Sequence, residues 1–330
     1  MMVRAGAACQ FPAYTQPVVT LSVVIPATDG RVTLERAVGA IRRASAGPEE
    51  LIVVDRPSQL GPAAARNLGS REAGGDVLVF IDADVEVHED VFVRIRSTFD
   101  GDTGLAALFG SYDDDPGPAG IVSDFRNLLH HHVHHQNAGI ASTFWAGLGA
   151  IRRDVFLELE GFDERRDEAR LPFASVEDIE LGMRLHSRGG RILLDPAIQG
   201  KHLKEWTLVS MTETDLLRRG VPWLRLILEN RAGGSSLNLG WSHRIATAAS
   251  VLLLVGLLRR KLWLVGSTLA LVIVLDRHFY ALLLRRRGAS ALVAGVPLHV
   301  LHRLTSAAVV PVTFTDLFLE KWRLRVRGRA

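Results

Sequence analysis

The sequence predicts an α/β fold, with a mostly parallel sheet flanked by helices and followed by C-terminal helices that enter or line a membrane. Three observations carry this expectation. Over the first ~110 residues, apolar runs of strand length alternate with segments of helical period, the pattern of a sheet wrapped by helices. The charge is unevenly divided: residues 236–330 hold 14 Lys/Arg against 3 Asp/Glu, a net of +11 against +3 for the chain, which leaves −8 for residues 1–235. Apolar runs crowd into that same basic end, so the 48% hydrophobic content is concentrated there. Basic residues flanking apolar runs, without a polar face interleaved with aromatics, point away from nucleic acid and toward a membrane surface.

Each element has a local reason. Val19–Ile25 is an apolar strand stopped by Pro26. Leu34, Ala37, Val38 and Ile41 fall at i, i+3, i+4 and i+7, predicting an amphipathic helix from about Val32. Leu51–Asp55 is the second strand, and Gly61–Ala73 a helix with Pro62 in its first turn. Asp76–Asp82 is the third strand, Glu89–Phe99 a helix and Leu105–Gly110 the fourth strand. Beyond these come a His-rich helix at Ile121–Gln136, a strand-like Ser142–Ile151, and helices near Arg153–Glu160, Val176–Ser187 and Thr212–Glu229. The expected organisation is an N-terminal extension 1–18, an α/β domain 19–230, a linker 231–240, membrane helices 241–312 and a basic tail 313–330. Ile245–Leu258 and Leu262–Leu275 are each 14 residues long, short of the ~20 a spanning helix needs. The first can extend back through Trp241. A buried soluble hairpin is the alternative, and the number of crossings stays open because every loop is basic.

The single cysteine, Cys9, excludes an intrachain disulfide and a cysteine metal cluster. The N-terminus has no sustained apolar segment of signal-peptide length, so the first part is expected in the cytoplasm, with the α/β domain on the cytoplasmic side of the cell membrane.

The candidate site lies where open α/β sheets bind ligands, beyond the carboxyl ends of the strands. Pro26 ends the first strand, Asp55 the second, and Asp82 and Asp84 the third. Strand alternation predicts that Asp82 and Asp84 point the same way. A divalent cation, Mg²⁺ or Mn²⁺, turns the repulsion of such a pair into coordination, and it fills its shell with water and substrate phosphates.

SVVIP, IVVD, GPAAARNLG and VLVFIDADV, in this order and spacing, resemble glycosyltransferase family 2, the inverting nucleotide-sugar transferases of GT-A fold. The resemblance continues through WAGLGAIRRDVFLELEGFDE, SVEDIELGMRL and KHLKEW, covering about residues 19–230, and the basic C-terminal region resembles the membrane tails of bacterial members. It implies that Asp55 hydrogen-bonds the nucleobase, usually uracil, with Pro26 beside the ring, and that Asp82 holds the nucleotide on its ribose or base side. Asp84 would bind the metal bridging the diphosphate, and His202 would join it on metal or diphosphate. Arg66 would lie near the nucleotide. Asp178 matches the catalytic base, with Glu177 orienting it or touching the acceptor. Bland readings stand beside these: a surface ion pair for Arg66, a helix N-terminal carboxylate for Asp178 and a structural histidine for His202. The implied partners are a UDP-sugar donor, a lipid-linked or saccharide acceptor and the membrane, and no nucleic acid.

The pattern also departs from the family. VVDRPS stands where VVDDGS is usual, placing Arg56 beside the nucleotide pocket. The first strand ends in PATDG, without the usual aromatic. The Q-x-x-R-W signature of processive synthases is missing, and LLRRGVPW is the nearest stretch, so transfer of a single sugar is expected, with Arg218 or Arg219 within reach of the diphosphate or facing the membrane. The paired histidines of His130–His135 have i, i+4 metal spacing, but an acceptor-side or interfacial helix is the preferred reading. YDDDPG reads as a turn. Two other functions compete: a nucleotidyltransferase making the activated sugar, which normally shows a Gly-rich G-x-G-x-R loop absent from PATDGRVT, and a catalytically silent membrane scaffold of the same fold.

Overall fold

The computed structural model describes residues 18–29, 32–58, 60–165, 176–230 and 240–327. The expected N-terminal extension (except Val18), Cys9 and nearly all of the expected linker lie outside the described residues. Strands β1 (Leu21–Pro26), β2 (Glu50–Val54) and β3 (Val77–Ile81) alternate with helices α1 (Leu34–Arg43) and α2 (Pro62–Glu72) as the apolar periods predict. A short β4 (Val85–Val87) and helix α3 (Val91–Gly101) lead to β5 (Leu105–Tyr112), the His-rich helix α4 (Ile121–Gln136), β6 (Gly139–Ala141) and β7 (Leu148–Arg152). Then come α5 (Arg153–Glu158), α6 (Glu177–Ser187), β8 (Arg191–His202) and α7 (Leu208–Glu213). A π-helical turn, Thr214–Gly220, joins α7 to α8 (Val221–Asn230), and α9 (Trp241–Leu258), α10 (Leu262–Leu275) and α11 (Arg277–Arg327) complete the chain.

The sheet order is β2-β1-β3-β7-β5-β8-β4, with β6 also on β8. Its first three strands are parallel, while β7 and β4 run antiparallel to their neighbours, so the sheet as a whole is mixed. Both faces are covered: Leu21, Val23, Val79, Phe80, Leu108 and Phe109 are fully buried. A second apolar core joins α4 to the C-terminal helices through Phe125, Leu128, Leu129, Met211, Phe279, Tyr280, Leu282, Leu283 and Leu298.

Two expectations shift, and one strand carries an irregularity. Only Leu148–Arg152 of the strand-like Ser142–Ile151 is a strand. The Trp145 ring folds back over Gly147, where an added Cβ would lie 2.4 Å from it, so this stretch turns before it extends. The expected helix Thr212–Glu229 divides into α7, the π turn and α8. Strand β8 alternates buried and more exposed positions on either side of a break at Asp195 and Pro196, which fall in a register shift where the ladder with β5 skips from Leu194 to Gln199.

Helices α9 and, within α11, Arg277–Arg323 are long and apolar enough to cross a membrane, and α10 is shorter. Apolar side chains on α9 and α10 face outward, among them Leu254, Leu257, Leu258, Leu262, Trp263 and Val274. The YDDDPG segment is a turn held by cations, Arg286 on Asp114 and both Lys201 and Arg287 on Asp115.

Candidate active site

The parallel register of β1, β2 and β3 brings their carboxyl ends to one edge. Pro26 pairs with Val54, and the Ala27 N–H donates to the Val54 carbonyl at 2.9 Å. Asp55 therefore follows the end of β2 beside Pro26, and its side chain is exposed.

Asp82 and Asp84 do not sit on a strand. Strand β3 ends at Ile81, and the Val85 N–H donates to the Asp82 carbonyl at 3.0 Å, closing a turn. The two carboxylates accordingly meet different partners, which corrects the alternation argument for a shared direction. Asp82 is about one-third exposed and accepts a 2.7 Å hydrogen bond from Arg66 Nη2. Asp84 is buried beside His202, with Oδ2 3.7 Å from Nε2.

Arg66 is no surface residue. Helix α2 packs it into the interior, 4% exposed, where Nη1 donates to Glu177 Oε1 at 2.7 Å and Nη2 to Asp82. Its guanidinium also lies over the Phe162 ring, 5.5 Å from the centroid. One buried cation thus ties the turn after β3 to the start of α6. Glu177 Oε2 is buried without a hydrogen-bond partner among the described residues.

Helix α6 reaches this position because Gly182 lets it approach the chain at Thr143 and Phe144; a Cβ there would lie 2.1 Å from the Phe144 nitrogen. That contact sets Asp178 against the turn before β7, where Oδ2 accepts from the Ala146 N–H at 3.2 Å and Oδ1 from the Ile179 N–H at 2.8 Å. Burial, and next the adjacent Glu177 carboxylate, push the Asp178 carboxyl up to about 6, while the charges of Arg219 and Arg66 and the Ala146 N–H pull it back down. Asp178 is therefore a carboxylate poised to exchange a proton near neutral pH.

His202 ends β8, and its pairing with Val85 brings it to the turn carrying Asp84. The ring stacks on Tyr112 at 4.1 Å and 10°, and Nδ1 lies 2.6 Å from Asn127 Oδ1. An amide oxygen only accepts, so Nδ1 carries a proton and the ring turns its Nε2 toward Asp84. Among the described residues there is no group of three or more His, Cys, Asp or Glu arranged to hold a metal; the pair Asp84 and His202 is what the fold assembles.

Residues 38–159 match the model of Glycosyl transferase family 2. That stretch runs from helix α1 through α5, so it takes in the turn that bears Asp82 and Asp84. Its fold is similar to that of mannosyltransferase PcManGT from Pyrobaculum calidifontis, solved in complex with GDP-Man and Mn²⁺: TM-score 0.53, 14% identity, 90% of this chain and 88% of that one. A more distant likeness, to GalNAc-T7 with UDP, GalNAc and Mn²⁺, has a TM-score of 0.44 at 18% identity and covers 65% of this chain and 48% of that one. The mixed sheet is GT-A-like.

The His-rich helix serves packing. His134 Nδ1 donates to the Gly110 carbonyl and His131 Nδ1 to that of Tyr112, each at 2.9 Å, so the helix is stitched to β5. Burial, and next the neighbouring His134, hold His130 well below the usual imidazole range, and burial takes His134 down to about 3. Both rings are neutral. Arg218 pairs with Glu213 at 2.8 Å, whereas the charge of Arg219 acts on Asp178, His130 and His134. Asn127 is the site-side residue that motif reading did not single out, whereas Arg219 was one of the two arginines it placed within reach of the diphosphate. The one available signal for Asn127 was an amide between Phe125 and Leu128 on a helix that must bury its apolar stripe.

Proposed function

We propose that this protein is a metal-dependent, inverting, non-processive glycosyltransferase that moves one sugar from a UDP-sugar to a lipid, lipid-linked or saccharide acceptor at the cytoplasmic membrane face. The observation that carries the reading is the buried meeting of Asp84 with Nε2 of His202. A carboxylate and an imidazole nitrogen 3.7 Å apart are two group types that hold divalent ions, which fits an ion bound by few protein groups and completed by water and phosphates. When Mg²⁺ or Mn²⁺ is bound there, it offsets negative charge growing on the departing diphosphate.

The chain's own residues account for the rest. Asp55, exposed beside Pro26, offers an acceptor to a ring N–H of the nucleobase. Asp82 is held by Arg66 with its remaining oxygen available to the ribose or base side. The acceptor hydroxyl attacks the anomeric carbon, the bond to the diphosphate breaks with its electron pair staying on the leaving oxygen, and Asp178 takes the hydroxyl proton. Glu177, anchored by Arg66, sets the start of α6 and so orients that base. The outward apolar faces of α9 and α10, with Arg259, Arg260 and Lys261 between them, support a membrane location over a buried soluble hairpin.

UDP release from a UDP-sugar by detergent-solubilised protein with Mn²⁺ tests the assignment. Asp84→Ala is expected to lower that rate at least about 100-fold through loss of several kcal/mol of charge stabilisation; turnover at the wild-type level would overturn it. Arg219 supplies a second expectation. Its charge favours ionised Asp178, so Arg219→Gln should move the acidic limb of the kcat profile to higher pH. An unmoved limb would mean that Arg219 does not act on the base.

A further inference from the structure

Asn127 is 1% exposed on α4, and its Nδ2 is buried with no hydrogen-bond partner among the described residues. A buried unsatisfied amide costs about 1–3 kcal/mol. What the side chain supplies against that cost is its oxygen. That oxygen meets His202 Nδ1 at 2.6 Å.

We propose that Asn127 is a positioning residue for His202, fixing the ring's tautomer and orientation so that Nε2 is offered, with Asp84, to the divalent cation of the glycosyl transfer. The inference rests on the reading of Asp84 and His202 as the metal pair. Partners that accept the second ring N–H of a ligating histidine raise its basicity and hold its plane. Here the plane is also set from the face by Tyr112, so the ring has one remaining free direction, its Nε2.

Asn127 itself cannot drift, because every neighbour on its helix is tied down. Ser123 Oγ accepts from the Trp206 N–H at 2.9 Å, Asp124 accepts from Arg287 at 2.7 Å, and Arg126 pairs with Asp215 at 2.8 Å. Phe125 packs edge-on against Phe279 of α11, with centroids 5.6 Å apart. Asp215 is held from the other side by His302 of α11 at 2.7 Å. The C-terminal helices therefore brace the helix that braces the histidine.

The test is Mn²⁺ titration of the full-length protein in detergent, read by electron paramagnetic resonance, with UDP and in parallel with GDP. Asn127→Ala and Asn127→Leu are both expected to weaken Mn²⁺ binding by about 10- to 100-fold. Asn127→Asp, which keeps the acceptor, should bind Mn²⁺ at least as well as wild type. Thermal unfolding separates this from a packing role: Asn127→Leu removes the unsatisfied Nδ2 but leaves the His202 Nδ1–H without its acceptor, two effects of about 1–3 kcal/mol each that offset, so it should melt close to wild type while still losing Mn²⁺. Wild-type affinity in the Ala and Leu variants, with His202→Ala weakened, overturns the role of Asn127 alone. Wild-type affinity in His202→Ala overturns the metal-pair reading, and the positioning role with it.

Discussion

Asp178→Asn lowers kcat by about 10² to 10⁴-fold, the usual contribution of a positioned general base, while the protein becomes more stable at alkaline pH. Both effects have one cause. The folded-state pKa of Asp178 is raised to about 6 from the ordinary 3.8, by burial first and by Glu177 second. A raised carboxyl binds its proton more tightly in the folded state, so stability is lost as pH rises from 3.8 toward the folded value. Above it, the wild type carries a buried charge next to Glu177, and the amide does not. The asparagine also forfeits one of the two acceptors that the carboxylate offers to the Ala146 and Ile179 N–H groups. The net gain at pH 8 is therefore on the order of 1–2 kcal/mol, shrinking toward pH 4. Wild-type kcat should fall as pH drops through about 6, following protonation of the base. Thermal melts at pH 5 and pH 8 with UDP-release kinetics check both halves; an inactive variant less stable at pH 8 than at pH 5, relative to wild type, would mean that Asp178 is structural.

The parts of this fold set by local periodicity were legible in the sequence. Strands β1 to β3, helices α1 and α2, and the His-rich α4 all follow from apolar spacing and from Pro26 and Pro62. What was not legible depends on partners distant in the chain. Strand β8 carries Asp195 and Pro196 mid-strand and few apolar residues after them, and it is a strand because β5, β4 and β6 all pair with it. The same distance limit applies to the site. Asp82 and Asp84 were found by their spacing, but the reason given for their pairing was wrong: a turn sends them to Arg66 and to His202. Glu177 and Arg66 are 111 residues apart, and nothing local in either segment says that they touch. Asn127 belongs to the same class, an amide whose partner lies 75 residues away. Motif resemblance reached Arg66, Asp178 and His202 because it carries spatial information that composition and period lack.

Arg66→Ala is expected to be the most destabilising single change in the site. Removal of one partner from a buried ion pair costs about 3–5 kcal/mol, because the other charge is left uncompensated. Here two partners are stranded: Glu177, 3% exposed with one oxygen already unpartnered, and Asp82. Asp178 loses a favourable charge as well, so its carboxyl rises further and the remaining activity moves to higher pH. Arg66→Lys is no substitute, since a single ammonium cannot span two carboxylates in the fork geometry that places Nη1 and Nη2 each 2.7 Å from an oxygen. The decisive comparison is the double variant Arg66→Met, Glu177→Gln. Taking the buried charges away together should recover most of the stability that Arg66→Ala loses, because an ion pair replaced by uncharged groups of similar volume is often near neutral. Activity should not return with it, since Asp82 then has nothing to hold it at the nucleotide edge and α6 has lost its link to β3. Melting temperature and UDP release for the four proteins separate the two roles. A double variant that regains turnover along with stability would show that Arg66 balances charge and positions nothing.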